Sequence, residues 1–141
     1  MRSISDRSFF DTNVIVYAFR KHDPRNQAAE TLLAAGGVLS VQVLNEFVSV
    51  ARRKLGRSWQ EVRRALNILR ALCPEPVPLT VETHEAALRI AEKHGYRIYD
   101  ALVIASALEA GCVTLYSEDL HDGQTFYGQL SIRNPFTRQS G

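Results

Sequence analysis

The sequence predicts an α/β fold in three layers, a mostly parallel central sheet with helices on both faces. Two observations carry this. Short runs rich in apolar residues alternate with longer segments whose apolar residues recur every three or four positions, and strand–helix alternation of this kind builds a parallel sheet covered on both sides. At 141 residues the chain can bury one hydrophobic core and is too short for two. Residues 1–141 therefore read as one domain, with its core over about 8–134 and a loose tail from Thr137.

Ser8-Phe9-Phe10 is the first strand, halted at Asp11-Thr12-Asn13, where the apolar spacing becomes that of a helix. His22-Asp23-Pro24 makes a turn. The Ala-, Leu- and Glu-rich stretch 25–35 is a second helix, stopped by Gly36-Gly37. Val38-Leu39-Ser40 reads as a brief strand, and Val41, Leu44, Val48, Ala51 and Leu55 form the apolar stripe of a long helix beginning near residue 41. Gly56 breaks it. Ser58 with Glu61 three residues on is a capping signature, and Val62, Ala65, Leu66, Leu69 and Leu72 continue the helical period, so that 41–72 forms a helical hairpin. Pro74, Pro76 and Pro78 forbid a helix and predict an extended edge segment. Thr80 then caps a helix at about 82–94, ended by Gly95. Residues 100–110 are apolar on almost every side, as in a helix buried within a domain, and Gly111 ends them. Cys112–Tyr116 reads as an interior strand, 117–123 as a polar loop and Leu130–Ile132 as a last short strand.

Composition excludes several classes. Hydrophobic residues at 45% and charged residues at 23% describe a chain that folds rather than a disordered one. No segment approaches the roughly 18 apolar residues of a membrane span and no signal-peptide pattern opens the chain, so a cytoplasmic protein without membrane contact is expected. Cys73 and Cys112 sit in apolar surroundings without zinc-ligand spacing and read as small buried hydrophobes. The formal charge of +2 does not by itself identify a nucleic-acid binder. Its distribution is more informative: Arg52, Arg53, Lys54, Arg57, Arg63, Arg64 and Arg70 concentrate on the 41–72 hairpin, where they could guide a phosphate backbone or simply form a solvated face.

Carboxylates fall where such a sheet binds ligands, at the carboxyl ends of its strands. Asp11 follows the first strand, Asp100 opens the buried helix, and Glu118 with Asp119 follows the strand 112–116. Glu46, in the first two turns of the helix after 38–40, reaches the same edge, with its neighbours Leu44 and Val48 expected to pack inward. Each acid has a local explanation, since Asp11 and Asp100 stand where N-caps stand and Asp119 lies in a loop. Together they are costly unless a cation lies among them, because gathered like charges raise one another's pKa. Oxygen donors favour a hard ion, and His22, His84, His94 and His121 have no zinc arrangement, so Mg²⁺ with Mn²⁺ as substitute is the expected cofactor.

The stretches DTNVIVYAF from Asp11, NEF at Asn45–Phe47, YDALVIASAL from Tyr99 and SEDL from Ser117 together resemble the PIN-domain family, and within it the VapC-type toxins. They occur in the family's order over about residues 8–134. The resemblance implies a PIN-like domain whose acidic set falls on Asp11, Glu46, Asp100 and Asp119, with Thr12, Asn13 and Ser117 as its small polar residues beside the metal. The last loop crowds Glu118, Asp119 and Asp122 together, and Asp119 is the one that matches the family position. The resemblance further implies a metal-dependent endoribonuclease acting as the toxin of a toxin–antitoxin pair, a homodimer, and a VapB-type antitoxin whose short segment lies in an apolar groove around the hairpin.

Asp11 and Asp100 are then principal metal ligands, Glu46 a ligand or a base acting through metal-bound water, and Asp119 a ligand to a second ion or an outer support. Among the tyrosines, Tyr96, Tyr127 and the nearby Phe126 could stack on RNA bases, whereas Tyr99 and Tyr116 are expected in the core. Other acidic-pocket folds fit less well. A receiver domain needs a late lysine, and none follows Lys93; a haloacid-dehalogenase phosphatase needs a second Asp where Asn13 stands. A PIN fold that binds RNA or a partner without cutting is the alternative, and it would normally lack one of the first three acids.

Overall fold

The computed structural model describes residues 7–136; the tail expected from Thr137 lies outside the described residues. A strand β1 (Ser8–Phe10) leads into α1 (Thr12–Ala18), α2 (Asn26–Ala34), α3 (Val41–Arg53), α4 (Trp59–Leu72), α5 (Val81–His94) and α6 (Ile98–Glu109), followed by β2 (Thr114–Tyr116), β3 (Thr125–Phe126) and β4 (Leu130–Arg133). The sheet runs β1-β2-β4-β3, parallel across its first three strands, with β3 antiparallel to β4. Helices pack as α1 with α2 and α3, α3 with α4, and α5 with α6, which makes the fold a three-layer α/β/α arrangement. No helix among the described residues is long and apolar enough to cross a membrane.

β1 is buried along its whole length, consistent with a central position between helix layers. The segment 38–40 lies beside it but pairs only as isolated bridges, Val38 with Phe9 and Ser40 with Val77, rather than as the strand the sequence predicts. A three-residue stretch shared between two partners gives each partner one residue, too few for a continuous ladder. The proline-rich segment is an extended edge as expected, with Val77 donating to Leu39 at 2.8 Å. The interior strand is shorter than read from Cys112, and β3 was not legible at all. Both cysteines are buried and unpaired.

Helix ends follow their local chemistry. Ser58 accepts the Glu61 amide while Glu61 accepts the Ser58 amide, a reciprocal box that closes the start of α4. Replacing Ser58 with Ala should cost about 1 kcal/mol, read as a lower denaturation midpoint with an unchanged slope. Thr80 caps α5 and Gly95 ends it in the left-handed region at φ 75°, where a side chain would be strained. α6 starts two residues before the expected position. Arg97 is its N-cap, and Asp100 stands in the first turn instead of at the cap, where its charge still complements the helix dipole.

The predicted stripe of α3 is one side of its inward face. Ala51 is buried as expected and Leu44 and Val48 are half-buried against the core, but Val41 is exposed and the most buried positions are Val43 and Phe47, outside that stripe. Both stripes are apolar at helical spacing, so periodicity alone cannot choose between them. Contact with α1, α4 and α6 decides, and the Phe47 ring lies tilted against Phe19 just beyond α1, centroids 5.5 Å apart.

Candidate active site

The parallel register places the first residues beyond β1 and β2 side by side. Phe10 lies opposite Tyr116, so Asp11 and Ser117, far apart in sequence, meet at the carboxyl edge. The Asp11 amide is held by the Tyr116 carbonyl at 3.0 Å. Its backbone is extended, and the side chain caps α1 by accepting the Thr12 amide at 2.7 Å. Ser117 Oγ donates to the other carboxylate oxygen at 2.8 Å.

Asp11 is only 6% exposed. Burial pushes its pKa up to about 6 against the restraining hydrogen bonds from Ser117 and Thr12, and the fields of Glu46 and Asp100 push in the same direction as burial. Three of the expected acids thus share one electrostatic environment.

Glu46 projects from the second turn of α3. Its Oε2 accepts from Thr12 Oγ1 and its Oε1 from Gln42 Nε2, each at 2.9 Å. Asp100, half-buried at the start of α6, also has its pKa raised, by burial first and then by Asp119, with Arg97 opposing and Glu46 adding a smaller push. Asp119 is exposed and takes a hydrogen bond from Asn13 Nδ2 at 3.2 Å. Asn13 also donates to Ser117 Oγ at 3.4 Å and accepts the Glu118 amide at 3.1 Å. One amide side chain on α1 therefore ties down the loop after β2.

Of the seven residues singled out from the sequence, Asp11, Thr12, Asn13, Glu46, Ser117 and Asp119 enter one hydrogen-bond network, and Asp100 is linked to it only through the fields of the neighbouring acids. The two competing carboxylates do not join it. Glu118 binds Arg25 Nη1 at 2.9 Å, and Asp122 accepts the Asn134 amide at 2.9 Å. Sequence reasoning missed the group that holds Glu118, Arg25 with Asp23 and Tyr17. The signal available was a polar turn, Asp23-Pro24-Arg25, which reads as a connection and nothing more.

The donor chemistry suits a hard divalent ion, being oxygen throughout and negative in sum. Among the described residues, however, no three His, Cys, Asp or Glu side chains are drawn together into a finished cage. The residues fit such an ion in kind, with side-chain rotation needed to close on it.

The end of α1 and the α3–α4 hairpin enclose a groove of about 490 Å³ lined by Phe19, Phe47, Val62 and Ile68 and by the charged Lys21, Arg57, Glu61 and Arg64. Two of the hairpin arginines have structural partners. Arg52 stacks over Trp59 at 4.6 Å and donates to the Arg57 carbonyl, while Arg57 reaches the Phe19 carbonyl and Glu61. Arg53, Lys54, Arg63, Arg64 and Arg70 are exposed. Tyr99, expected in the core, is 62% exposed in the first turn of α6. Tyr116 is half-buried and stacks on Phe10 at 6.1 Å. Phe126 is buried, Tyr127 is exposed, and Tyr96 donates its hydroxyl to Gln124.

The model of one family, described as PIN domain, matches residues 8–121. Among solved structures, this chain is similar to VapC20 of Mycobacterium tuberculosis, described as a sarcin-ricin loop cleaving toxin, with 22% identity, 79% of this chain and 91% of that chain covered, and a TM-score of 0.66. A toxin–antitoxin complex from Klebsiella pneumoniae matches at 16% identity over 92% of this chain and 98% of that one, TM-score 0.67. VapBC2 from Rickettsia felis, bound to a DNA fragment from its promoter, matches at 21% identity over 90% and 97%, TM-score 0.64. At these identities the likeness is one of fold. No curated protein matches the sequence.

Proposed function

Because the chain belongs to the PIN-domain family, we propose that it is a Mg²⁺- or Mn²⁺-dependent endoribonuclease and the toxin of a toxin–antitoxin pair. The observation that carries this reading is the buried Asp11 carboxylate, coupled electrostatically to acids delivered by two other elements, Glu46 and Asp100. Structural groups rarely gather unneutralised charge in this way, whereas functional sites do.

Asp11 and Asp100 are the residues that would hold the ion, with Glu46 as a further ligand or the base and Asp119 as a supporting acid. When bound, the ion supplies Lewis acidity toward the phosphodiester and lowers the pKa of a water molecule. The chain's own part is to orient and to hold charge. The Thr12 amide and Ser117 Oγ favour the ionised form of Asp11, and Thr12 Oγ1 and Gln42 fix Glu46 at both oxygens. The exposed cations of the hairpin, Arg53, Lys54, Arg63, Arg64 and Arg70, supply positive potential for the RNA backbone.

The apolar groove is where a VapB-type antitoxin segment would seat, its apolar residues on Phe19, Phe47 and Val62 and an acidic residue toward Lys21 and Arg64, since Arg57 is already paired with Glu61. A homodimer and a cytoplasmic location complete the reading, the dimer drawing on exposed apolar side chains such as Val81, Leu88 and Tyr127.

The test is incubation of total cellular RNA with purified protein in Mg²⁺ or Mn²⁺ and in EDTA. Discrete fragments that need both metal and an intact Asp100, lost in Asp100→Asn with unchanged circular dichroism, are the expected result. An Asp100→Asn protein as active as its parent overturns the site. Absence of cleavage of any RNA, with binding retained, favours the non-cutting RNA- or partner-binding module.

A further inference from the structure

We infer that Arg25 is a positioning residue for the fourth carboxylate: by drawing Glu118 toward itself it determines that Asp119, and not its neighbour, faces Asp100. This deepens the nuclease reading and rests on it.

The guanidinium of Arg25 is held on several sides. Nε and Nη2 bind the two oxygens of Asp23 at 2.8 and 2.9 Å, Nη1 binds Glu118 Oε1 at 2.9 Å, and Cζ lies 3.8 Å from the centroid of the Tyr17 ring. Asp23 is itself fixed, accepting the Arg25 amide at 2.9 Å, and Tyr17 is braced edge-on by Phe136 at 5.2 Å. The cation therefore links α1, the turn before α2 and the loop after β2. A planar fork that uses separate edges for two carboxylates and a face for an aromatic ring cannot be replaced by a lysine point charge.

Residue 118 is gripped from two directions, its amide by Asn13 Oδ1 and its carboxylate by Arg25. The next residue, Asp119, gives its amide to Ser117 Oγ at 3.1 Å and takes a hydrogen bond on its carboxylate from Asn13 Nδ2 at 3.2 Å, with no cation on it among the described residues. The clamp also holds the Glu118 carboxylate on the Arg25 side of the loop, away from Asn13 Nδ2 and the carboxylate of Asp119. Two adjacent acids thus have opposite fates, one neutralised and one available.

The experiment compares Arg25→Gln, Arg25→Lys and Glu118→Ala with the parent, alone and combined with Asp119→Asn. Two quantities are measured: Mn²⁺ binding to the RNA-free protein, by the loss of the free-ion resonance, and kcat and KM for cleavage in Mn²⁺. Arg25→Gln should weaken Mn²⁺ binding and lower kcat by about tenfold or more, the range for loss of an outer partner, with KM changed less than about twofold. Arg25→Lys should not restore either. In the Arg25→Gln background Asp119→Asn should cost little more, since the two act through one position.

Glu118→Ala leaves the Arg25–Asp23 pair intact and frees the loop without releasing a competing carboxylate, so it should show losses in the same direction but smaller, which covers the case of an unfolded Arg25→Gln protein. Folded variants with parental Mn²⁺ binding and kcat, or an Asp119→Asn cost that is equal in both backgrounds, overturn the inference alone. A parent that neither binds Mn²⁺ nor cleaves RNA overturns the nuclease reading and the inference with it.

Discussion

Asp11→Asn should abolish cleavage and at the same time stabilise the metal-free protein at neutral pH. Loss of a direct ligand should exceed the roughly 10–100-fold cost of an outer partner, so a fall in activity of about 10³-fold or more is expected. The gain in stability follows from burial. With the folded pKa raised from 3.8 to about 6, the carboxyl is protonated in both states below about pH 4 and its charge costs nothing there. Between about pH 4 and 6 the folded protein keeps a proton that the unfolded chain has released, so stability falls as pH rises.

Above about pH 6 the full cost is present, on the order of 3 kcal/mol. Asn keeps the cap, its oxygen accepting from the Thr12 amide, and removes the charge; the loss of the acceptor for Ser117 Oγ offsets part of the gain. Denaturation at pH 4 and pH 7.5 checks this: the variant should be the more stable at pH 7.5 and should lack the decline between the two. Added Mn²⁺ should raise the midpoint of the parent and not that of the variant. A variant less stable than its parent at pH 7.5 would mean that Asp11 serves the fold chiefly as a cap.

Gly37→Ala should destabilise the fold by about 3 kcal/mol or more, at the upper end of the range for overpacking. A Cβ at residue 37 would lie 2.5 Å from Phe10 Cε2 and 2.7 Å from the Ser8 carbonyl oxygen. Neither neighbour can yield. Phe10 is fully buried, and the Ser8 carbonyl accepts the Val38 amide at 2.8 Å as part of the pairing beside β1. Because that pairing holds the strand that ends at Asp11, activity should fall together with stability. A denaturation midpoint within about 1 kcal/mol of the parent would show that the 37–40 segment can move away from β1 and does not hold it.

The acidic site was legible largely because its signals are local. A carboxylate directly after a strand or in the first turns of a helix is placed by the element itself, so Asp11, Glu46 and Asp100 follow once the elements are read. Other features had no such local signal. The two-residue β3 is too short for any period, and its turn uses Tyr127 at φ 54° beside Gly128, a conformation unusual for tyrosine. The start of α6 was misplaced because its N-cap, Arg97, makes no side-chain capping bond, while Asp100 offered a better apparent cap.

By itself the sequence determined the alternation of elements, their caps and stops, and the strand and helix ends at which the acids stand, since each depends on side chains within a few residues of one another. Tertiary structure decided which stripe of α3 is buried most deeply and which acid of the 117–123 loop faces the pocket. Both are choices between locally equivalent alternatives. A helix with two apolar stripes is settled by the helices packed on it, and a loop with adjacent carboxylates is settled by where a cation lies, here Arg25, brought to Glu118 from 93 residues away in sequence by the parallel register of β1 and β2.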